Sequence, residues 1–190
     1  MTTPAGITRE RALELLREHV KNENMIRHCL ASEAVLTALA RRLGENEQTW
    51  GLAGLLHDLD VELTNADLSV HGLKAVEILA GAGVSPEIID AIRMHNERAH
   101  GEKRSKRFHH ALAAGETVTG LVTATALVYP DRKVGSVKPS SVVKRMKEKA
   151  FAASVDRDTI RECELIGVPL NEFAALAIEA MQRIAPDLGL

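Results

Sequence analysis

The sequence predicts an all-α fold, a bundle of helices packed around a central core, and three observations lead there. Apolar residues recur at helical spacing along most of the 190 residues, and no convincing alternating strand interrupts them. Aromatic residues make up only 3% of the chain while apolar residues make up 45%. Leu, Ile, Val, Ala and Met must therefore fill the core, which suits close helix–helix packing. Capping and stop signals also recur at helix-length intervals.

Each element follows from those signals. Thr8 caps a first helix reaching about Val20, with Ala12, Leu13, Leu16 and Val20 on one side. A second runs from about Asn22 to Leu43 and stops at Gly44, its stripe being Met25, Cys29, Leu36, Leu39 and Leu43. A third spans about Glu47 to Leu59. From Trp50 to Leu56 it is apolar or glycine on every side, which marks a buried helix. A fourth covers Leu68 to Ala80, closed by Gly81 to Gly83. Ser85-Pro86-Glu87 starts a fifth that ends near Glu97. Residues 99–107 form a basic connection to a long sixth helix, which stops at Tyr129-Pro130. A loop at 131–139 precedes shorter helices at 140–150, 156–166 and 171–184. The expected organisation is one domain over 1–190, with a core at about 20–130 and a C-terminal helical annex at about 131–190.

Composition narrows the function classes. The formal charge is −2, from 24 basic and 26 acidic residues, so no global field points to nucleic acid or an anionic membrane as partner. Cys29 and Cys163 lie far apart, form no CxxC and read as buried reduced thiols. Met1 to Gly6 lacks a leader's basic and apolar regions, so the expected location is cytoplasmic. The stretch Ala111 to Val128 carries Glu116 and four threonines, and reads as a buried helix rather than a membrane span.

The chemistry shows as charge in the wrong place. The third helix is apolar until His57-Asp58, and a buried unpaired carboxylate costs several kcal/mol or takes up a proton. Glu116 is the only charged residue between Ala111 and Val128. Each needs a cation beside it, a lysine, an arginine or a metal ion, or must stay protonated. His28 lies near the stripe of the second helix, His71 in the first turn of the fourth and His95 on the fifth. Imidazole with carboxylate suits Zn, Fe, Mn, Ni or Co, and no cysteine cluster points to a thiolate site. His28, His57, Asp58 and Glu116 form the first candidate ligand set, and His71 and His95 are candidates for a second ion. His19, His100, His109 and His110 lie in or near charged stretches and are expected to be solvated. No HExxH, P-loop or GxSxG competes for the site.

The order His28 … His57-Asp58 … His95 … Glu116 resembles the HD-domain superfamily of metal-dependent phosphohydrolases. The likeness extends through AGLLHDLDVE (53–62), HGLKAVEILAGAG (71–83), AIRMHNE (91–97), ETVTGLVTATALVYP (116–130) and SVVKRMKEKAFAASVDRDTI (141–160), segments similar to small stand-alone bacterial members. The resemblance implies an HD-type bundle around one or two divalent ions (Mn, Fe, Co, Ni, Zn or Mg). His28, His57, Asp58 and Glu116 would hold the first ion, and His71 and His95 correspond to the extra histidines of two-metal members. Three departures stand out. The last acidic ligand is usually Asp and is Glu116 here. Position 61, often Lys or Glu, is Val61. The His57–His71 spacing is short for a two-metal phosphodiesterase.

The implied reaction is hydrolysis of a phosphorylated small molecule, with a nucleotide as the expected substrate. Asp58, Asp60 or Glu62 would orient water or carry its proton. Lys103, Arg104, Lys106 and Arg107 are candidate phosphate-binding residues, and residues 131–149, with seven basic and two acidic residues, offer a second basic tract. Two rivals remain: a catalytically weak nucleotide-binding or regulatory protein, favoured by Val61, and a di-iron redox protein. A homo-oligomer is compatible with the sequence.

Overall fold

The computed structural model describes residues 4–190, and its elements are helices joined by turns, with no strand among the described residues. The expectation about Met1 to Thr3 lies outside them. The helices are α1 (Arg9–His19), α2 (Glu23–Leu43), α3 (Glu47–Leu56), α4 (Leu73–Gly81), α5 (Pro86–His95), α6 (Arg107–Leu127), α7 (Pro139–Arg145), α8 (Arg157–Leu165), α9 (Leu170–Arg183) and α10 (Ala185–Leu188). Short 3₁₀ turns lie at Glu97–Ala99 and Val134–Ser136.

Local signals set most boundaries. The Thr8 hydroxyl accepts from the Arg11 N–H, and the Asn22 side chain accepts from the Asn24 and Met25 N–H groups. Gly44 closes α2 at φ 73°, the left-handed conformation that glycine adopts without cost. Asn46 and Asp156 cap α3 and α8 in the same way as Asn22.

The long helices α2 and α6 form the spine. α3 packs along α2, α5 and α6 flank it, and α8 and α9 lie against α6 and α2. Leu36, Leu39, Leu52, Leu55, Leu56 and Leu112 are fully buried between them. The α2–α3 approach is close because two small residues of α3 permit it. A Cβ on Gly54 would lie 2.6 Å from the Ser32 carbonyl oxygen, and one on Gly51 would lie 2.5 Å from Thr37 Oγ1. No helix among the described residues is long and apolar enough to cross a membrane.

Three expectations need revision. The helix expected at 140–150 ends at Arg145 and gives way to turns. α3 ends at Leu56, three residues before the expected end, and the chain continues through tight turns, with Leu59 N–H bonded to Leu56 O and Val61 N–H to Asp58 O. α4 begins at Leu73 rather than Leu68, so His71 precedes it instead of standing in its first turn. The cause is a cap distant in sequence. The Asp60 carboxylate accepts from the backbone N–H groups of Gly72, Lys74 and Ala75, and so starts the helix there. Gly72 turns at φ 92°, and a Cβ there would come within 3.3 Å of the His95 ring. Both cysteines are free and buried, as expected.

Candidate metal centre

Four imidazoles and one carboxylate converge where α2, the end of α3, the turn before α4 and the end of α5 meet. His28 Nε2 lies 3.1 Å from His57 Nε2, and His71 Nε2 lies 3.1 Å from His95 Nε2. Asp58 stands between the pairs. Its Oδ1 is 3.0 Å from His71 Nε2 and 3.4 Å from His57 Nε2, and its Oδ2 is 3.6 Å from His28 Nε2. His57, Asp58 and His71 are buried. Two candidate ligand triads result, His28/His57/Asp58 and Asp58/His71/His95, with Asp58 in both.

The outer face of each ring explains why the inner faces converge. His57 Nδ1–H donates to the Gly54 carbonyl at 2.8 Å, and His95 Nδ1–H to the Ile92 carbonyl at 2.5 Å. His71 Nδ1 lies 2.8 Å from Asp60 Oδ1, an ion-pair contact off the line of a good hydrogen bond. His28 Nδ1 meets Thr119 Oγ1 at 2.9 Å. The Thr119 hydroxyl donates its single proton to the Glu116 carbonyl, so it must accept from His28 Nδ1–H. With their protons committed outward, His28, His57 and His95 turn Nε2 lone pairs into the centre. This is the arrangement in which imidazoles ligate metals.

The donor set fits a divalent ion. Lone pairs of neutral imidazoles 3.1 Å apart repel unless a cation lies between them. Two nitrogens about 2.1 Å from one ion would be roughly 3.0–3.4 Å apart, depending on coordination angle. No lysine or arginine forms an ion pair with Asp58 or Glu116 among the described residues, and the cation the chain itself offers Asp58 is His71, 3.0 Å away.

Electrostatics agree. Burial, partly offset by Asp58, lowers His57 to about 4. Burial, with the charges of His57 and His71, lowers His95 to about 4. Burial likewise lowers His28. Burial works to raise Asp58, but the His57 charge and the His71 hydrogen bond prevail and hold it well below the usual carboxylate range. His71 is the exception. Burial would lower it, yet Asp58 and Asp60 on either side raise it to about 10. Glu116 is raised by burial to about 8.

The remaining sequence candidates are distributed unevenly. Glu116 lies beside the first triad, with Oε2 3.8 Å from His28 Nε2 and Oε1 accepting from the Thr117 hydroxyl. Asp60 is fully buried and faces α4 and His71. The Glu62 carboxylate accepts from the Lys21 and Asn22 N–H groups, at the start of α2. Lys106 pairs with Asp90, Arg107 with Glu45 and Lys103 with Glu97.

Of the basic candidates only Arg104 reaches the centre's cavity, and its guanidinium is held by Glu162 and by the Met94 and His95 carbonyls. No residue of 131–149 lines that cavity. The expectation that His109 and His110 are solvated is corrected. His109 is buried and contacts Asp90 at 2.9 Å, while His110 contacts Glu162 at 2.7 Å. Carboxylates from neighbouring helices draw both inward.

The cavity beside the centre has a volume of about 540 Å³. His28, Asp58, His71, His95 and Glu116 line it together with Arg98, Ser154, Val155, Asp156 and Thr159. Sequence reasoning missed Thr119 and Arg98. Thr119 stands three residues after Glu116 on one face of α6, a signal that could have found it. Arg98 left none.

Comparison with known proteins agrees with this geometry. A model of the HD domain matches residues 25–129, more than half of the chain, and spans both triads. No curated protein and no solved structure matches.

Proposed function

The chain belongs to the HD-domain family, and from that premise we propose that it is a metal-dependent hydrolase of a phosphate ester. The observation that carries the reading is the convergence of four Nε2 atoms on one shared carboxylate, Asp58.

A divalent ion held there supplies charge to neutralise phosphoryl oxygen and to acidify water. Each part of the chain has its own task. His28, His57 and Asp58 form one ligand side, and Asp58, His71 and His95 the other. Thr119, Asp60 and the Gly54 and Ile92 carbonyls hold the rings in place, so little reorganisation is needed on binding. Glu116 adds a carboxyl group on the cavity side. Its Oε2, the oxygen that Thr117 leaves free, lies 3.8 Å from His28 Nε2 and is a candidate to accept a proton there. Asp60 and Glu62 act as helix caps in this reading, and the phosphate does not meet Lys103, Lys106 or Arg107.

The test is phosphate release by protein loaded in turn with Mn²⁺, Fe²⁺, Co²⁺, Ni²⁺, Zn²⁺ and Mg²⁺, against a broad panel of monoesters, diesters and nucleotides. Turnover that disappears in Asp58→Ala together with bound metal supports the reading. Full metal occupancy without turnover on any ester overturns it.

The sharing of Asp58 by two triads also favours a second reading, a di-iron redox centre. Two irons per chain with a mixed-valent paramagnetic signal would select it, whereas one redox-inert ion would exclude it.

A further inference from the structure

The ligand candidates are not equally well supported by the helices. His28 and His95 stand on α2 and α5, and His57-Asp58 continues directly from α3. His71 instead follows a run of turns. Residues 65–70 before it are all exposed, and Asn65 and Ala66 turn at positive φ, 49° and 54°. Such a segment has few apolar contacts with which to hold a buried histidine in place.

Asn96 supplies what the segment lacks. It directly follows His95 at the end of α5 and is 8% exposed. Its amide donates to the Leu68 and His71 carbonyls, each at 2.9 Å. Its Oδ1 accepts from the Arg98 N–H at 3.3 Å. Both amide protons and the oxygen are therefore in use, and the amide cannot turn over without setting an oxygen against two carbonyl oxygens. Among the described residues, no other side chain from outside 63–71 bonds to the backbone of that segment.

The contacts of His71 divide between two tasks. Asp58 and Asp60 meet its two ring nitrogens, whereas Asn96 holds its backbone. Because Asn96 adjoins His95 in the chain, one amide fixes both histidines relative to each other, with their Nε2 atoms 3.1 Å apart. The first triad is held by other means, His28 by Thr119 and His57 by the Gly54 carbonyl, and neither bonds to Asn96.

We propose that Asn96 is a positioning residue for a second divalent ion. By tying the His71 backbone to the end of α5, it makes Asp58, His71 and His95 a preformed ligand set that does not depend on His28 and His57. The inference rests on the reading of Asp58 as a carboxylate shared by two ion sites in a metal-dependent hydrolase.

The test is calorimetric titration of the metal-free full chain with Mn²⁺, with electron paramagnetic resonance to detect the coupling of two adjacent ions. The parent should take up two ions and show the coupled signal. Asn96→Ala should weaken the second ion roughly 10- to 100-fold, change the first by no more than about twofold, and lose the coupled signal. Asn96→Asp keeps the shape but sets carboxylate oxygens against the two carbonyls, and should weaken the second ion at least as much. Asn96→Gln keeps the amide on a longer arm and should recover part of the loss. Melting temperatures of the metal-free variants identify a folding defect, and the glutamine variant decides if the other two do not fold. An aspartate variant that binds both ions like the parent would reduce Asn96 to packing. That result, or an equal loss of both ions in folded variants, overturns this proposal and leaves the hydrolase reading intact. A parent that binds one ion or none removes the shared-carboxylate reading and this proposal with it.

Discussion

Thr119 occupies a position at which one hydroxyl decides what a histidine can do. Its proton goes to the Glu116 carbonyl, so its lone pair receives His28 Nδ1–H and leaves Nε2 bare towards Asp58. Thr119→Val keeps the shape but removes that acceptor from a residue only 1% exposed. We expect divalent-ion affinity to fall roughly 10- to 100-fold, with Thr119→Ser retaining most of it, as read by metal titration. Equal affinity in the valine variant would show that packing alone orients His28. Glu62 makes the opposite case. Its carboxylate stabilises the start of α2 and does not line the cavity. Glu62→Ala should cost about 1 kcal/mol in denaturant unfolding and leave kcat within about twofold. A large loss of kcat at unchanged stability would return Glu62 to the chemistry.

At the scale of elements, the centre depends on how closely α3 can lie on α2. A methyl at Gly54 would meet backbone of Ser32, which cannot swing aside as a side chain could. Gly54→Ala should therefore destabilise by about 1–3 kcal/mol and lower metal content, because His57 anchors its ring on the Gly54 carbonyl. Gly81→Ala, where nothing lies within 4 Å of the added methyl, serves as the control and should be neutral or slightly stabilising. Equal midpoints for the two variants would contradict the close approach. α4 depends on Asp60 in a comparable way, since one buried carboxylate starts the helix and touches His71.

For the whole molecule, ion binding and folding should be coupled. Ligands drawn from α2, α3, the turn before α4 and α5 do not converge in an unfolded chain, so a bound ion stabilises by mass action. At about 100 times its Kd, an ion adds roughly 2.7 kcal/mol. The melting temperature should rise with added Mn²⁺ or Co²⁺, return with chelator, and respond little in Asp58→Ala.

A second global prediction concerns acid. Burial works to raise Asp90, but Lys106 and His109 outweigh it and hold its folded pKa below the ordinary value. Its contribution is therefore complete above about pH 4, near the unfolded pKa, and is lost as pH falls through the lower folded value. The stability gap between the parent and Asp90→Asn should be widest near pH 7 and close towards pH 2. A gap that widens on acidification would reverse the assignment.

The helices were legible in the chain because their determinants are local. Asn22, Gly44 and Ser85-Pro86 act within a turn of themselves, and apolar spacing shows which face is buried. His57-Asp58 and Glu116 were legible for an energetic reason, since an acidic group inside an aliphatic run needs a compensating cation or a proton wherever the run folds. Other features depended on partners far apart in sequence. Asp60 caps a helix twelve to fifteen residues away, Glu162 draws in Arg104 and His110 from more than fifty residues away, and Ser154 and Thr159 line the same cavity as His28, His71 and His95. Neither spacing nor propensity encodes such meetings. They arise only when packed helices bring distant side chains within hydrogen-bonding reach, which is why candidate metal-ligating residues could be read from the chain while the C-terminal residues lining the same cavity could not.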